Sequence, residues 1–279
     1  MTRDRDRPGL TQEHEREQGA PLYLVPEGEA WVGLDGRALR VSRPTTAERL
    51  FPLRRIARVH SSPRVEWEQA ALLACAEAGI PILFVDDDGD VIARILGRPG
   101  ERDELRDRLV EFLLRPEAPG MLRHWMRHHR QRAARWAAIK LGRRSLNDRV
   151  DIRMWVNHAG DREAGTQSAQ RSRQWLRGLA YGWMEAHLTD LGFGRSTELG
   201  QTGIPPLAAD LTDILFWYLE PARIGWLRRR RLAAQRKAEP LRPPAYRDVV
   251  RLFESRQTRA SRRGREITGC LHRWLIHEA

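Results

Sequence analysis

Asp210 and Asp213 lie three residues apart in the otherwise apolar run Leu207-Ala208-Ala209-Asp210-Leu211-Thr212-Asp213-Ile214-Leu215. On a helix, that spacing projects both carboxylates from one side. Two neighbouring carboxylates can hold a hard divalent ion such as Mg²⁺, which asks for one or two protein carboxylates plus the phosphates of a substrate. The same spacing suits two solvated acids on the outer stripe of a helix, so the pair alone leaves both readings open.

His124, His128 and His129 offer a second constellation. An i, i+4 histidine pair can chelate zinc when a third ligand and supporting hydrogen bonds exist. Neither is evident here, and Arg123, Arg127 and Arg130 surround the histidines and would repel a cation. The remaining readings are a basic helix face lying on phosphates and a plain solvated face. Arg228, Arg229, Arg230 and Arg231, with the cluster Arg256, Arg259, Arg262, Arg263 and Arg265, form further patches able to neutralise DNA or RNA phosphates. The acidic run Asp86 to Asp90 starts like a calcium loop, but its twelfth residue is Gly97 where a bidentate Glu is needed, so it reads as a hairpin turn. A Gly-rich phosphate loop and a serine nucleophile elbow are both missing, which argues against ordinary NTPases and hydrolases.

These groups must be positioned by a chain of 279 residues with 41% hydrophobic and 31% charged content, enough for one large or two modest domains. The net charge is +12, and nearly all of its cations are arginines, since only Lys140 and Lys237 are lysines. Residues 1–97 carry 13 arginines against 16 acids, whereas residues 98–279 carry 36 basic against 21 acidic residues. The electrostatic footprint therefore lies in the second part, and nucleic acid is the partner it favours. Two distant cysteines, Cys75 and Cys270, provide neither a disulfide framework nor a cysteine zinc site, which fits a reducing compartment. With no signal-like apolar stretch at the start and no 18-residue apolar run, a cytoplasmic protein without membrane spans is expected, its residues 1–20 forming a frayed tail.

From 21 to 97 the pattern is short and strand-like: Leu22 to Val25, Ala30 to Leu34, an Asp35-Gly36 turn, Ala38 to Val41, Ile56 to Val59, a helical run over 66–78, then Ile80 to Val85 and Val91 to Leu96. After Arg98 the period becomes helical, predicting helices near 101–115, 118–142, 167–191, 205–222, 243–256 and 260–277. The stretches 142–165, 192–206 and 239–244 read as connections. The fold class is α+β: a small N-terminal β-rich domain with one helix over 21–97, then a larger all-helical domain over 98–279.

In this order the stretches resemble the CRISPR-adaptation integrase family, the universal CRISPR-associated endonuclease that inserts spacers. The N-terminal resemblance rests on Leu22 to Val25, the Asp35-Gly36 hairpin, Phe51-Pro52-Leu53-Arg54-Arg55-Ile56-Ala57-Arg58-Val59, the helix through Leu72 and Leu73, and Gly79-Ile80-Pro81-Ile82-Leu83-Phe84-Val85 with Gly89. Arg132-Ala133-Ala134-Arg135-Trp136-Ala137-Ala138-Ile139-Lys140-Leu141 resembles the family's Arg/Ala-rich helix ending in Lys, and Leu179-Ala180-Tyr181-Gly182-Trp183 its Leu-x-Tyr-Gly-Tyr helix. The resemblance spans about residues 21 to 225.

The resemblance implies a divalent metal, Mg²⁺ or Mn²⁺, held by a Glu, a His and an Asp with a second acid three residues away; Asp210 and Asp213 fall where that acidic pair belongs. Gln201 stands at the His position. Glu163 is the only glutamate in the interval where the Glu ligand would lie, and is a candidate displaced counterpart. An amide is a poorer and uncharged ligand, so the metal term that activates a 3′-hydroxyl and stabilises the phosphoryl transition state weakens. The implied partners are DNA, a second copy through the N-terminal domain, and either the small ferredoxin-like adaptation partner or an active integrase paralogue. Three functions remain: a DNA-binding subunit with Arg123, Arg127, Arg130 and Arg228 to Arg231 on the DNA face and its metal-dependent chemistry lost; an active metal-dependent endonuclease or integrase with displaced ligands; and an unrelated basic nucleic-acid-binding regulator. Whether the chain is an enzyme stays open, as does RNA binding.

Overall fold

The computed structural model describes residues 19–25, 29–44, 46–96, 104–143, 151–193 and 207–278. Two four-stranded sheets form the N-terminal part. One has the order β1-β5-β7-β8, from β1 (Ala20–Leu24), β5 (Ile56–Ser61), β7 (Ile82–Val85) and β8 (Val91–Ile95). The other has the order β4-β3-β2-β6, from β4 (Thr46–Pro52), β3 (Ala38–Arg43), β2 (Ala30–Asp35) and β6 (Val65–Trp67). Helix α1 (Gln69–Glu77) connects β6 to β7. β1, β5 and β7 run parallel, and β7 turns back into β8.

Both predicted hairpins form. Asp35 pairs across to Ala38 with Gly36 at φ +57°, and the Asp86 carboxylate accepts from the N–H groups of Asp88 and Asp90, tying the turn between β7 and β8. The chain differs from expectation in two places here: Thr46–Pro52 and Val65–Trp67 are strands, and the helical run opens only at Gln69. β4 is an outer strand with mostly exposed residues, so it has no buried face to give the period-two signal. A core of Val32, Leu39, Val59, Ile82 and α1's Ala71 and Cys75 fills this region.

The remaining described residues are helical: α2 (Glu104–Leu113), α3 (Ala118–Lys140), α4 (Ile152–Ala164), α5 (Thr166–Asp190), α6 (Leu207–Arg236), α7 (Tyr246–Glu254) and α8 (Gln257–Glu278). The expected connection over 142–165 is thus corrected to include a helix. Asp151 caps α4 by accepting from the N–H groups of Arg153 (2.8 Å) and Met154 (3.4 Å), and Val156 and Ala159 are buried. Gly160 lies inside this helix where space is tight: a Cβ would come within 3.2 Å of the buried Arg223 guanidinium. α6 also outruns its expected end at 222, continuing through Pro221 because Arg223, Ile224 and Leu227 are buried beyond it. Among the described residues no helix is long and apolar enough to cross a membrane.

The seam between sheet and helices explains the Tyr181-Gly182 pattern. On α5, a Cβ at Gly178 would sit 2.2 Å from the Gly89 carbonyl oxygen, and one at Gly182 would sit 2.5 Å from the His60 ring. Only glycine lets the helix backbone approach the β7–β8 turn and β5 this closely. Tyr23 stacks on His60 and donates to Glu254 at the end of α7 (2.6 Å), and Arg94 of β8 reaches Tyr181 and Glu185 on α5. These contacts fix the helical bundle against the first sheet.

Candidate functional site

Asp210 and Asp213 occupy the opening turns of α6, where a helix favours negative charge. Neither carboxylate is solvated alone. Arg130 of α3 lies 3.0 Å from Asp210 and 3.5 Å from Asp213, and Arg177 of α5 lies 2.8 Å from Asp213. The acidic pair is therefore held from two helices by two guanidiniums. Of the three arginines expected on the DNA face, Arg123 and Arg127 are exposed on α3, while Arg130 turns toward α6.

Of the other expected ligands, Glu163 does not join the pair. Glu163, on the last turn of α4, pairs with Arg231 at 2.9 Å. Gln201 lies outside the described residues. Among the described residues no group of three or more His, Cys, Asp or Glu side chains could hold a metal ion. Among the described residues, the side chains around Asp210 and Asp213 are a poor fit to a divalent ion, since a metal there would share its ligands with two fixed positive charges. Among the described residues the histidines of α3 gather no zinc ligand set either: His129 packs on Trp125 with Cys270 at 3.9 Å, and His128 meets it edge-on.

Beside the pair, α4, α5 and α6 enclose a cavity of about 690 Å³. Arg130 and Asp213 stand on its wall, joined by Arg153, Asn157 and Asp161 from one face of α4 and by Gln170, Gln174 and Arg177 of α5. Its floor is an ion network. Glu220, fully buried, accepts from Arg223 at 2.8 Å and pairs with Arg173 at 3.1 Å; Arg223, 1% exposed, also donates to the Ala169 carbonyl and the Ser172 hydroxyl. Arg173 reaches Asn157 and lies over the rings of Phe216 and Trp217. Burial lowers the Arg173 pKa from its usual value, with Glu220 opposing that shift. The cavity is not legible in the sequence because one of its walls, α4, reads as a connection and Arg223 of its floor lies just past the expected helix end at 222.

The basic patches divide in the same way. Arg228 and Arg229 are exposed, whereas Arg230 pairs with Asp248 at 3.3 Å and Arg231 with Glu163. On α8, Arg262 and Arg263 flank Glu266, while Arg259 and Arg265 are exposed.

The fold is shared with a CAS1 protein from Thermotoga maritima, at TM-score 0.64 and 12% identity over 92% of this chain and 96% of that one. TtCas1 aligns at TM-score 0.59 and 16% identity, covering 92% of this chain and 98% of that one. A casposase bound to its integration product aligns at TM-score 0.59 and 12% identity, covering 84% and 82%. No curated protein sequence matches the chain. The family model for CRISPR associated protein Cas1 matches residues 22–178, more than half of the sequence, from β1 to the Gly178 contact on α5, and on that match the chain belongs to the Cas1 family.

Proposed function

We propose that this Cas1-family protein is a DNA-holding subunit of CRISPR adaptation in which metal-dependent cutting and joining has been lost. The observation that carries the reading is the engagement of Asp210 and Asp213 by Arg130 and Arg177. Arginine keeps its charge at any physiological pH, so the carboxylate pair already faces two resident cations where a metal would otherwise sit. The DNA surface is assigned to Arg123 and Arg127 of α3 and to Arg228 and Arg229 of α6, all exposed. Arg230 and Arg231, tied to acids, contribute less. A second copy would dock on the N-terminal part, which exposes Leu50 of β4, Leu73 of α1 and Ile92 of β8. An active paralogue or the small adaptation partner would supply the chemistry.

The test is a strand-transfer and nicking assay on supercoiled and branched DNA with Mg²⁺ or Mn²⁺, run beside binding of the same substrates. Tight binding without metal-dependent products is expected. In the binding arm, the Arg123→Ala, Arg127→Ala variant should weaken all sequences alike and flatten the salt slope by about one unit per lost phosphate contact. Products abolished by Asp210→Ala, Asp213→Ala would overturn the proposal.

A further inference from the structure

The ion network under the cavity is not neutral. Glu220 carries one negative charge against the two guanidiniums of Arg173 and Arg223, and all three are withdrawn from water, with side chains 0%, 21% and 1% exposed. The wider site does not correct the balance. Arg130 and Arg177 are matched by Asp210 and Asp213, and on α4 Arg153 is matched in number by Asp161, although Arg153 has no ion-pair partner among the described residues. Among the described residues, one positive charge is left over at the floor of the cavity. Within a low-dielectric interior such a charge calls for a counter-anion, and both Arg173 and Arg223 line the cavity.

The walls supply what an anion with several oxygens needs. Arg153 and Arg177 present guanidinium forks, Gln170 and Gln174 present amide donors, and the Nε of Arg130 is buried without an acceptor. The volume of about 690 Å³ admits a group larger than a halide or carboxylate. A backbone phosphodiester carries a single charge and a sugar on both sides. A phosphate monoester carries about −1.5 to −2 at neutral pH and three free oxygens, and can enter end-on to the floor.

We propose that this cavity is a metal-independent phosphate site that takes the phosphate monoester at the end of a nucleic-acid strand, with Arg153 and Arg177 on its walls and Arg173 at its floor. The strand half of the statement rests on the DNA-holding reading; the phosphate half rests on the cavity alone. The position beside the Asp210–Asp213 pair thus binds the anion through arginines of this chain instead of through a cation.

The experiment uses the full chain in EDTA with three probes: a short single strand phosphorylated at both ends, the same strand with hydroxyl ends, and pyrophosphate. The phosphorylated strand should bind about tenfold tighter than its hydroxyl twin, the scale of a charged hydrogen-bonded contact. Arg153→Ala, at an exposed position that leaves the network intact, should erase that preference and lower the salt slope by about one. Pyrophosphate should raise the Tm of the wild-type chain and not of Arg153→Ala, an arm that reads the cavity even if no DNA binds. Stabilisation by pyrophosphate with equal affinity for both strands would support the phosphate site and assign it to a small phosphate ligand. Equal affinities with no pyrophosphate effect would overturn it. A preference that appears only with Mn²⁺ and disappears in Asp213→Asn would overturn it as well and return the position to a metal.

Discussion

Two carboxylate sites on α6 are built from the same materials and work in opposite ways. Asp210 and Asp213, at the start of the helix, are held by Arg130 and Arg177 with side chains about a third to a half exposed on both sides. Glu220 is held by Arg173 and Arg223 in the interior, with Glu220 and Arg223 removed from solvent. At the open site water screens each bridge and can replace either partner, so the arginines decide what else can bind and contribute little stability. At the sealed site no water stands in, so each member is obligatory to the others. The same ion pair is therefore a functional statement at one end of the helix and a structural one further along it.

The sharpest way to break this contrast is Arg223→Ala. The substitution leaves Glu220 with Arg173 alone, opens a void where the buried guanidinium lay and strips the Ala169 carbonyl and the Ser172 hydroxyl of their partner, so a loss of about 3–5 kcal/mol is expected in chemical denaturation. A loss below about 1 kcal/mol, the range of exposed pairs, would show that water reaches Glu220 and that the two sites do not differ in kind.

What could be read from the sequence follows the same division. The Asp35-Gly36 and Asp86 to Asp90 turns, the helices α3 and α5 and the family resemblance were legible because each is written locally, in turn chemistry or in a long apolar period. The acidic pair was legible by spacing, but not its fate, since Arg130 and Arg177 are 80 and 36 residues away from their partners. α4 lies within the stretch 142–165 that reads as a connection, and its Gly160 makes room for Arg223, 63 positions along the chain. The cavity needed both of these long-range facts and left no local trace.

Sealed charge also governs the response to pH. Burial, aided by Arg265, pushes His187 from 6.5 down to about 4, and burial with Arg58 pushes His60 well below 6.5. Between about 6.5 and 4 the unfolded chain binds protons that the folded histidines refuse. Stability should therefore be complete above 6.5 and fall as pH drops through that window. Denaturation midpoints compared across the window should show this, and His187→Phe, which keeps a ring on Trp183, should remove about one proton from the dependence. An unchanged dependence in the variant would mean that His187 is hydrated and protonates in place.

The smallest stability effect belongs to the open site and says the most about function. Replacing Arg130 and Arg177 together by Ala removes three bridges from α6, yet each is exposed enough to contribute only about 0–1 kcal/mol, so the Tm should move little. What changes is the charge: Asp210 and Asp213 lose both resident cations and become the kind of carboxylate pair that a hard divalent ion accepts. Mn²⁺ should leave the wild-type Tm and the electron paramagnetic resonance signal of the free ion unchanged. The double variant should gain in Tm with Mn²⁺ and deplete the free-ion signal, and Asp210→Asn should reverse both. Equal Mn²⁺ binding by wild type and variant would mean that the guanidiniums step aside for a metal, and the open site would then be a working metal centre whose arginines are only its resting partners.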